Sequence, residues 1–437
     1  MAHSVVKALL DLPAQETLGV KTLVDRLEGD IQVKPIMLTA GEPDEEHTKP
    51  FLQQLAVGGK KKKYGDANGL PELKEAIARY ISSYTGIDYK PEDIFIGGGG
   101  RLVNFALMQA APSLVTALEP FWPGYSEALL VVEALGGSKV SDVYEFIERD
   151  ADFRITQQSL DDQLALAEKK LGRMGLNQIM HLECEPGNPL PLVSSKDEIY
   201  QRAKVLAGHP QVKPHFDDVY REIVFDPEET EVHSLAKAYV ESNGNPEDLT
   251  ILFSASKIEA VPGYRVAAIA TKDKDLIKSI EAISRRIGYN ASTPAQHAVA
   301  IALQNGTYQQ IARNIAKKSE INFGILNGQL GNLSIGGERA FDIFPTKAGI
   351  YAVVQGRKQA FEGAQYEVNG TPHQINNTEN MHDWMIRNGF VPVNASGMSP
   401  LGKRDNLFRI CIAGSTPEII QAVGYLNNPT YPIIGKG

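Results

Sequence analysis

The chain is poor in cysteine, with only Cys184 and Cys411 among its 437 residues. Two thiols cannot make a disulfide framework and supply too few sulfurs for a cysteine-based zinc site, so two buried thiols in a reducing compartment are expected. Positive charge is also short. Lys and Arg number 44 against 53 Asp and Glu, for a net charge of −9. General nucleic-acid binding needs a basic surface that displaces counterions from phosphates, so that class is set aside. The single basic run, Lys60-Lys61-Lys62-Lys63, reads as a solvated loop face, or alternatively as a positive rim beside an anionic cofactor or substrate. No stretch approaches the roughly 18 uncharged apolar residues of a membrane span. The start, Met1-Ala2-His3-Ser4-Val5-Val6-Lys7, lacks the basic stretch and apolar run of a secretory signal. A cytoplasmic protein that binds neither membrane nor nucleic acid is expected.

What is present is an ordinary globular composition, 43% apolar and 22% charged, in a chain long enough for two unequal domains. Apolar runs alternate with helix-like segments from about residue 70 to residue 320, the pattern of an α/β fold with a mostly parallel sheet covered by helices. Strands are expected over Asp93–Ile96, Leu114–Leu118, 139–143, Gln178–Cys184, Lys213–Phe216, Thr250–Phe253 and Arg265–Thr271, and helices over Leu70–Ser82 and Ala295–Leu303. After the Gly/Asn-rich stretch Asn327–Gly337 come short strand-like runs, Ile350–Val354 and Leu407–Ile412. These predict a second, smaller α+β domain. The expected division is an N-terminal arm and part of the small domain over 1–48, a large domain over 49–320 and a C-terminal small domain over 321–437.

Ligands of open α/β sheets bind outside the carboxyl ends of the strands, and every chemical motif falls at such an end. Ser254-Ala255-Ser256-Lys257 leaves one strand and reaches Arg265 through a Pro262-Gly263 turn. A lone lysine there is ordinarily a solvated surface residue. Flanking hydroxyls and an arginine eight positions on are instead what a phosphate-bearing aldehyde cofactor requires: Lys257 forms the imine, Ser254 donates to the phosphate and Arg265 binds it bidentately. In His215-Phe216-Asp217-Asp218-Val219-Tyr220, Asp217 suits a pyridine nitrogen, which it would keep protonated, and Tyr220 the ring's phenolic oxygen. Taken alone, the pair would be an N-cap and a core aromatic. Asn188, in Glu185-Pro186-Gly187-Asn188-Pro189-Leu190-Pro191, lies in what could be a plain turn; as a functional group it gives that oxygen a second hydrogen bond. Gly97-Gly98-Gly99-Gly100-Arg101 precedes a helix, where Gly99 and Gly100 amides bind phosphate well, although the spacing is not the dinucleotide fingerprint.

Taken together, these residues resemble the class I and II aminotransferases of pyridoxal-5′-phosphate (PLP) fold type I. The likeness runs in order from Gly41-Glu42-Pro43-Asp44 to Arg409. It implies PLP as cofactor, an aspartate aminotransferase-like fold and a homodimer with shared active sites. It places Gly41 near the substrate carboxylate and gives Tyr64 the phosphate of the neighbouring subunit. Trp122 stacks on the pyridine ring, and Arg409 grips the α-carboxylate. The sequence departs from the family at Asn188-Pro189-Leu190-Pro191, where Asn-Pro-Thr-Gly is usual, and at Gly99-Gly100-Arg101-Leu102, which lacks the usual small hydroxyl, so backbone amides and Arg101 must serve. The reaction implied is transfer of an α-amino group from an amino acid to a 2-oxo acid. Cyclisation, oxidation or β/γ-elimination on the same scaffold is the alternative. Arg286-x-x-Tyr289 is similar to the distal-carboxylate site of dicarboxylate-specific members, although Arg285 and Arg286 also read as solvated helix-end charges. His181 and His215 read as packed, hydrogen-bonded histidines.

Overall fold

Seven strands make the central sheet of the computed structural model, which describes residues 16–58, 63–134, 139, 143–288, 290–399 and 405–436. They are β1 (Ile94–Gly97), β2 (Leu114–Leu118), β3 (Tyr144–Ile147), β4 (Ile179–Glu183), β5 (Val212–Asp217), β6 (Thr250–Ser254) and β7 (Ala267–Thr271). Their spatial order is β1-β7-β6-β5-β4-β2-β3. Strand β7 runs antiparallel to both of its neighbours, and the other pairs are parallel. Strands β2 and β7 are buried at every residue, which is why they read as continuous apolar runs rather than alternating ones. The helix Pro71–Thr85 begins with proline in its first turn, buries Leu73, Ala76, Ile77 and Ile81, and ends at Gly86 with φ 72°, as the helix-spaced apolar residues require.

Two expected boundaries moved. The edge strand lies at Tyr144–Ile147, paired with β2 in the register Val115 to Tyr144. Residues 140–142 of the expected 139–143 strand fall outside the described residues. Arg265, expected to open the last strand, instead sits in the left-handed region at φ 54°, and the strand starts two residues later.

A second sheet follows: β8 (Phe341–Ile343), β9 (Tyr351–Gly356), β10 (Val393–Asn394) and β11 (Leu407–Cys411), all antiparallel in the order β8-β9-β11-β10. Phe341, Val354, Trp384, Phe408 and Ile410 build its own apolar core. Ile36–Met37 pairs with Phe390–Val391, and Ile36 and Leu38 enter that core. The helix Thr307–Leu330 runs without a break through residue 320. Among the described residues, no helix is long and apolar enough to cross a membrane.

Glu259, just after the one-turn helix Ala255–Ile258, is an exception to the apolar packing of the interior. It is 0% exposed, and neither carboxyl oxygen has a hydrogen-bond partner among the described residues; burial alone pushes its pKa up to about 8. The unfolded chain releases this proton at ordinary carboxyl pH and the folded chain keeps it until about pH 8, so stability falls as pH rises through that window. At about 1.4 kcal/mol per unit the loss is on the order of 4 kcal/mol. Glu259→Gln, which cannot ionise, should therefore gain on the wild type in urea denaturation at pH 8 and much less at pH 4.5. An equal difference at both pH values would contradict this account.

Candidate active site

The carboxyl ends of the central strands open onto a cavity of about 510 Å3. Gly41, Gly100, Arg101, Trp122, Asn188, Asp217, Tyr220, Ser254, Lys257, Arg265 and Arg409 all line it. Lys257 sits on the one-turn helix Ala255–Ile258 directly after β6, whose start is capped by the Ser254 hydroxyl accepting from the Ser256 amide at 3.2 Å. The Lys257 amine donates to the Gly41 carbonyl at 2.6 Å. Because β7 runs antiparallel to β6, Arg265, just before it, returns to the same end of the sheet.

At one end of the cavity the backbone is built for an anion. Gly99 has φ 92°, and a Cβ there would lie 2.1 Å from an Arg265 guanidinium nitrogen. Only glycine lets that cation lie against the start of the helix Gly100–Ala110. Burial and the neighbouring Arg101 charge hold the Arg265 guanidinium below its ordinary pKa. Arg101 also pairs with Glu127 at 2.9 Å and stands 5.5 Å over the Trp122 ring. Two cations and a helix N-terminus around one glycine turn fit a phosphate.

At the other end the demand is reversed. Asp217 ends β5, is 5% exposed, and receives the Tyr125 hydroxyl on Oδ2 at 2.7 Å, while its buried Oδ1 has no partner among the described residues. Burial pushes the carboxyl up to about 7, against the Tyr125 hydrogen bond, the Val219 amide and the Lys257 charge, which pull it down. A protonated ring nitrogen opposite Oδ1 would satisfy the orphaned oxygen. A phosphate at one end, a ring nitrogen at the other and an amine between fit PLP.

The carboxylate-binding side comes from β11. Arg409, 3% exposed, donates to the Asn188 amide oxygen at 2.7 Å and to the Thr39 carbonyl at 2.8 Å. Asn188 lies in a loop with cis prolyl peptides at Glu185–Pro186 before it and at its own Asn188–Pro189 bond, and its amide nitrogen remains the group able to donate to a ring oxygen. Sequence reasoning missed Tyr125, Glu127 and Tyr351. Tyr125 carried a faint signal, lying one helical turn beyond Trp122 with its ring edge-on to it at 5.2 Å; Tyr351 carried none.

Other expected residues lie elsewhere. Tyr64 is 88% exposed and outside this chain's own cavity. Arg285 pairs with Glu281 and Arg286 donates to the Ala282 carbonyl; neither lines the cavity. Tyr289 and Lys60–Lys62 fall outside the described residues. His181 is held by Thr116 and Glu183, and His215 by Thr250. No three His, Cys, Asp or Glu side chains among the described residues are grouped to hold a metal.

The profile of the family described as "Aminotransferase class I and II" matches residues 33–424. The chain belongs to that family. It is an aminotransferase, of a family that depends on PLP. A probable aspartate/prephenate aminotransferase of Rickettsia bellii is 25% identical over 401 residues, 89% of each chain. The aspartate/prephenate aminotransferase of Cereibacter sphaeroides is 26% identical over 72% of this chain and 75% of its own. Among solved structures, the aspartate aminotransferase of Rhizobium meliloti superposes with TM-score 0.77 over 96% of each chain at 21% identity. The Thermus thermophilus aspartate aminotransferase with maleate gives 0.73 over 97% of this chain and 98% of its own at 19% identity. These likenesses fix the aminotransferase fold.

Removing the Tyr125 hydroxyl should move the Asp217 proton. In cofactor-free Tyr125→Phe, Asp217 stays protonated to a pH above 7, read as a carboxylic-acid band in infrared difference spectra. A titration coinciding with the wild type would show that the hydrogen bond does not hold the carboxyl down.

Proposed function

We propose that this aminotransferase uses PLP held covalently by Lys257 to move an α-amino group between an amino acid and a 2-oxo acid, in a homodimer with shared sites. The observation that carries the reading is the buried Asp217 oxygen without a hydrogen-bond partner among the described residues, in the same cavity as the Lys257 amine. When bound, PLP supplies a carbonyl carbon that condenses with amines and a protonated ring that takes up the electrons left when Cα loses its proton. Asp217 keeps the ring nitrogen charged, and Tyr125 helps keep Asp217 anionic. Tyr220 and Asn188 donate to the ring's phenolic oxygen. Gly99, Gly100, Arg101, Ser254 and Arg265 hold the phosphate, and Trp122 covers the ring face.

Substrate binds with its α-carboxylate on Arg409. That contact fixes which Cα bond stands perpendicular to the ring, so a proton rather than the carboxylate leaves. The Lys257 amine would take this proton and return it on the far side of the substrate nitrogen, two atoms along. The Gly41 carbonyl, already an acceptor for that amine at 2.6 Å, keeps it beside Cα. Tyr64 reaches the phosphate of the neighbouring subunit, which accounts for its exposure on an isolated chain. The division at 48/49 and 320/321 separates a large PLP-binding domain from a smaller one that brings Arg409. Aspartate is the first donor to try, because the aminotransferases of Rickettsia bellii and Cereibacter sphaeroides that this chain resembles carry aspartate in their names.

A screen of amino donors against 2-oxo acids, read by mass spectrometry, tests this. A new amino acid with matching pyridoxamine phosphate is expected. Ammonia, peroxide or a cyclic product would point to other chemistry. Lys257→Ala should abolish turnover and the visible absorbance of the bound cofactor, and should lose Cα-proton exchange. Asp217→Ala should keep the absorbance and lose most of the rate. Proton exchange surviving in Lys257→Ala without added amine would contradict the role of the lysine.

A further inference from the structure

Tyr351 and Arg409 are the two described side chains of the C-terminal sheet that line the cavity. Tyr351 opens β9 opposite Cys411, and Val353 stands opposite Arg409. Residues two apart on a strand share a face, so Tyr351 and Arg409 are diagonal neighbours on one face of the sheet. The Arg409 guanidinium lies over the Tyr351 ring, 4.4 Å from its centroid. The ring also stands edge-on to Tyr220 at 5.8 Å and 69°, with the two hydroxyls 3.5 Å apart.

The Gly41 backbone marks where the Tyr351 hydroxyl sits. A Cβ on Gly41 would meet that hydroxyl at 1.9 Å and the Lys257 amine at 3.0 Å. The phenol therefore occupies the space between the cation expected to grip the carboxylate and the amine that works on Cα. Tyr351 is 2% exposed, and a donor withdrawn from water gains most when a charged acceptor reaches it.

We propose that Tyr351 is a substrate-binding residue: its hydroxyl donates to the α-carboxylate gripped by Arg409, and its ring keeps the guanidinium in the plane of that grip. The proposal rests on the aminotransferase reading and deepens it, since it gives the site a second requirement for an α-carboxylate. It also explains why position 41 is glycine, because any side chain there would displace the phenol. A desolvated cation over an aromatic face is favourable in its own right, so the ring restrains Arg409 before substrate arrives.

The test uses holoenzyme with Tyr351→Phe, which keeps the ring and removes the donor, and Tyr351→Leu, which removes both. Tyr351→Phe should raise KM for amino acid and 2-oxo acid about tenfold, the effect of one lost hydrogen bond to a charged group, with kcat little changed. The dissociation constant of propionate, a carboxylate that cannot react, should weaken in step. Tyr351→Leu should weaken both further. A primary amine without a carboxylate should react at the wild-type rate in all three proteins. Unchanged KM and propionate affinity in Tyr351→Phe overturn the hydroxyl contact, and a Leu variant no worse than the Phe variant overturns the platform. Equal losses for the carboxylate-free amine overturn both, leaving a packing role. Failure of the unsubstituted protein to transfer an amino group is a separate result and overturns the aminotransferase reading instead.

Discussion

A carboxylate taken out of water at the end of a parallel strand is costly unless a cation meets it. Asp217 is in that position: one oxygen is satisfied by Tyr125, the other has no hydrogen-bond partner among the described residues, and burial lifts the group to about 7. The rest of the site answers this one unmet demand. The sheet brings Lys257 and Arg265 to the same end as Asp217, and the glycine turn before the helix Gly100–Ala110 collects a second pair of opposite needs. The cavity is therefore polar in a directed way, with an anion wanted at one end and a cation at the other. A molecule with a phosphate on one side of a basic ring meets both at once.

The second constraint is that the substrate side of the cavity belongs to a different sheet. Arg409 and Tyr351 come from β11 and β9, while the amine and the carboxylate come from the central strands. The loop carrying Gly41 lies between them and is tied down from both directions. Arg409 donates to the Thr39 carbonyl at 2.8 Å, and Lys318 on the helix Thr307–Leu330 bonds Asp44 at 2.7 Å and Glu46 at 2.6 Å. Those ties place the Gly41 carbonyl where the Lys257 amine can use it.

The departures from the family pattern read differently once the loops are folded. The missing hydroxyl after Gly99 leaves Arg101 in the cavity beside Arg265, held by Glu127 and the Trp122 face. The altered turn after Asn188 still presents its amide oxygen to Arg409. Both departures lie within the span over which the chain matches its family.

The α/β class, nearly every central strand and most of the residues that meet in the cavity were legible in the sequence. These were legible because buried strands are written as unbroken apolar runs, and because residues that singly have ordinary structural readings fall at strand ends in the order of a known family. Where patterning is weakest it misplaced things, as at the edge strand Tyr144–Ile147 and at Arg265, which a left-handed turn takes out of the strand. Folding alone reveals that Tyr125 satisfies one oxygen of Asp217 while the other has no partner among the described residues, and that the Tyr351 ring lies under Arg409 with its hydroxyl beside Gly41. Those facts depend on side chains distant in the chain, 92 residues in the case of Tyr125 and Asp217, sharing one cavity, and no local spacing records such a meeting.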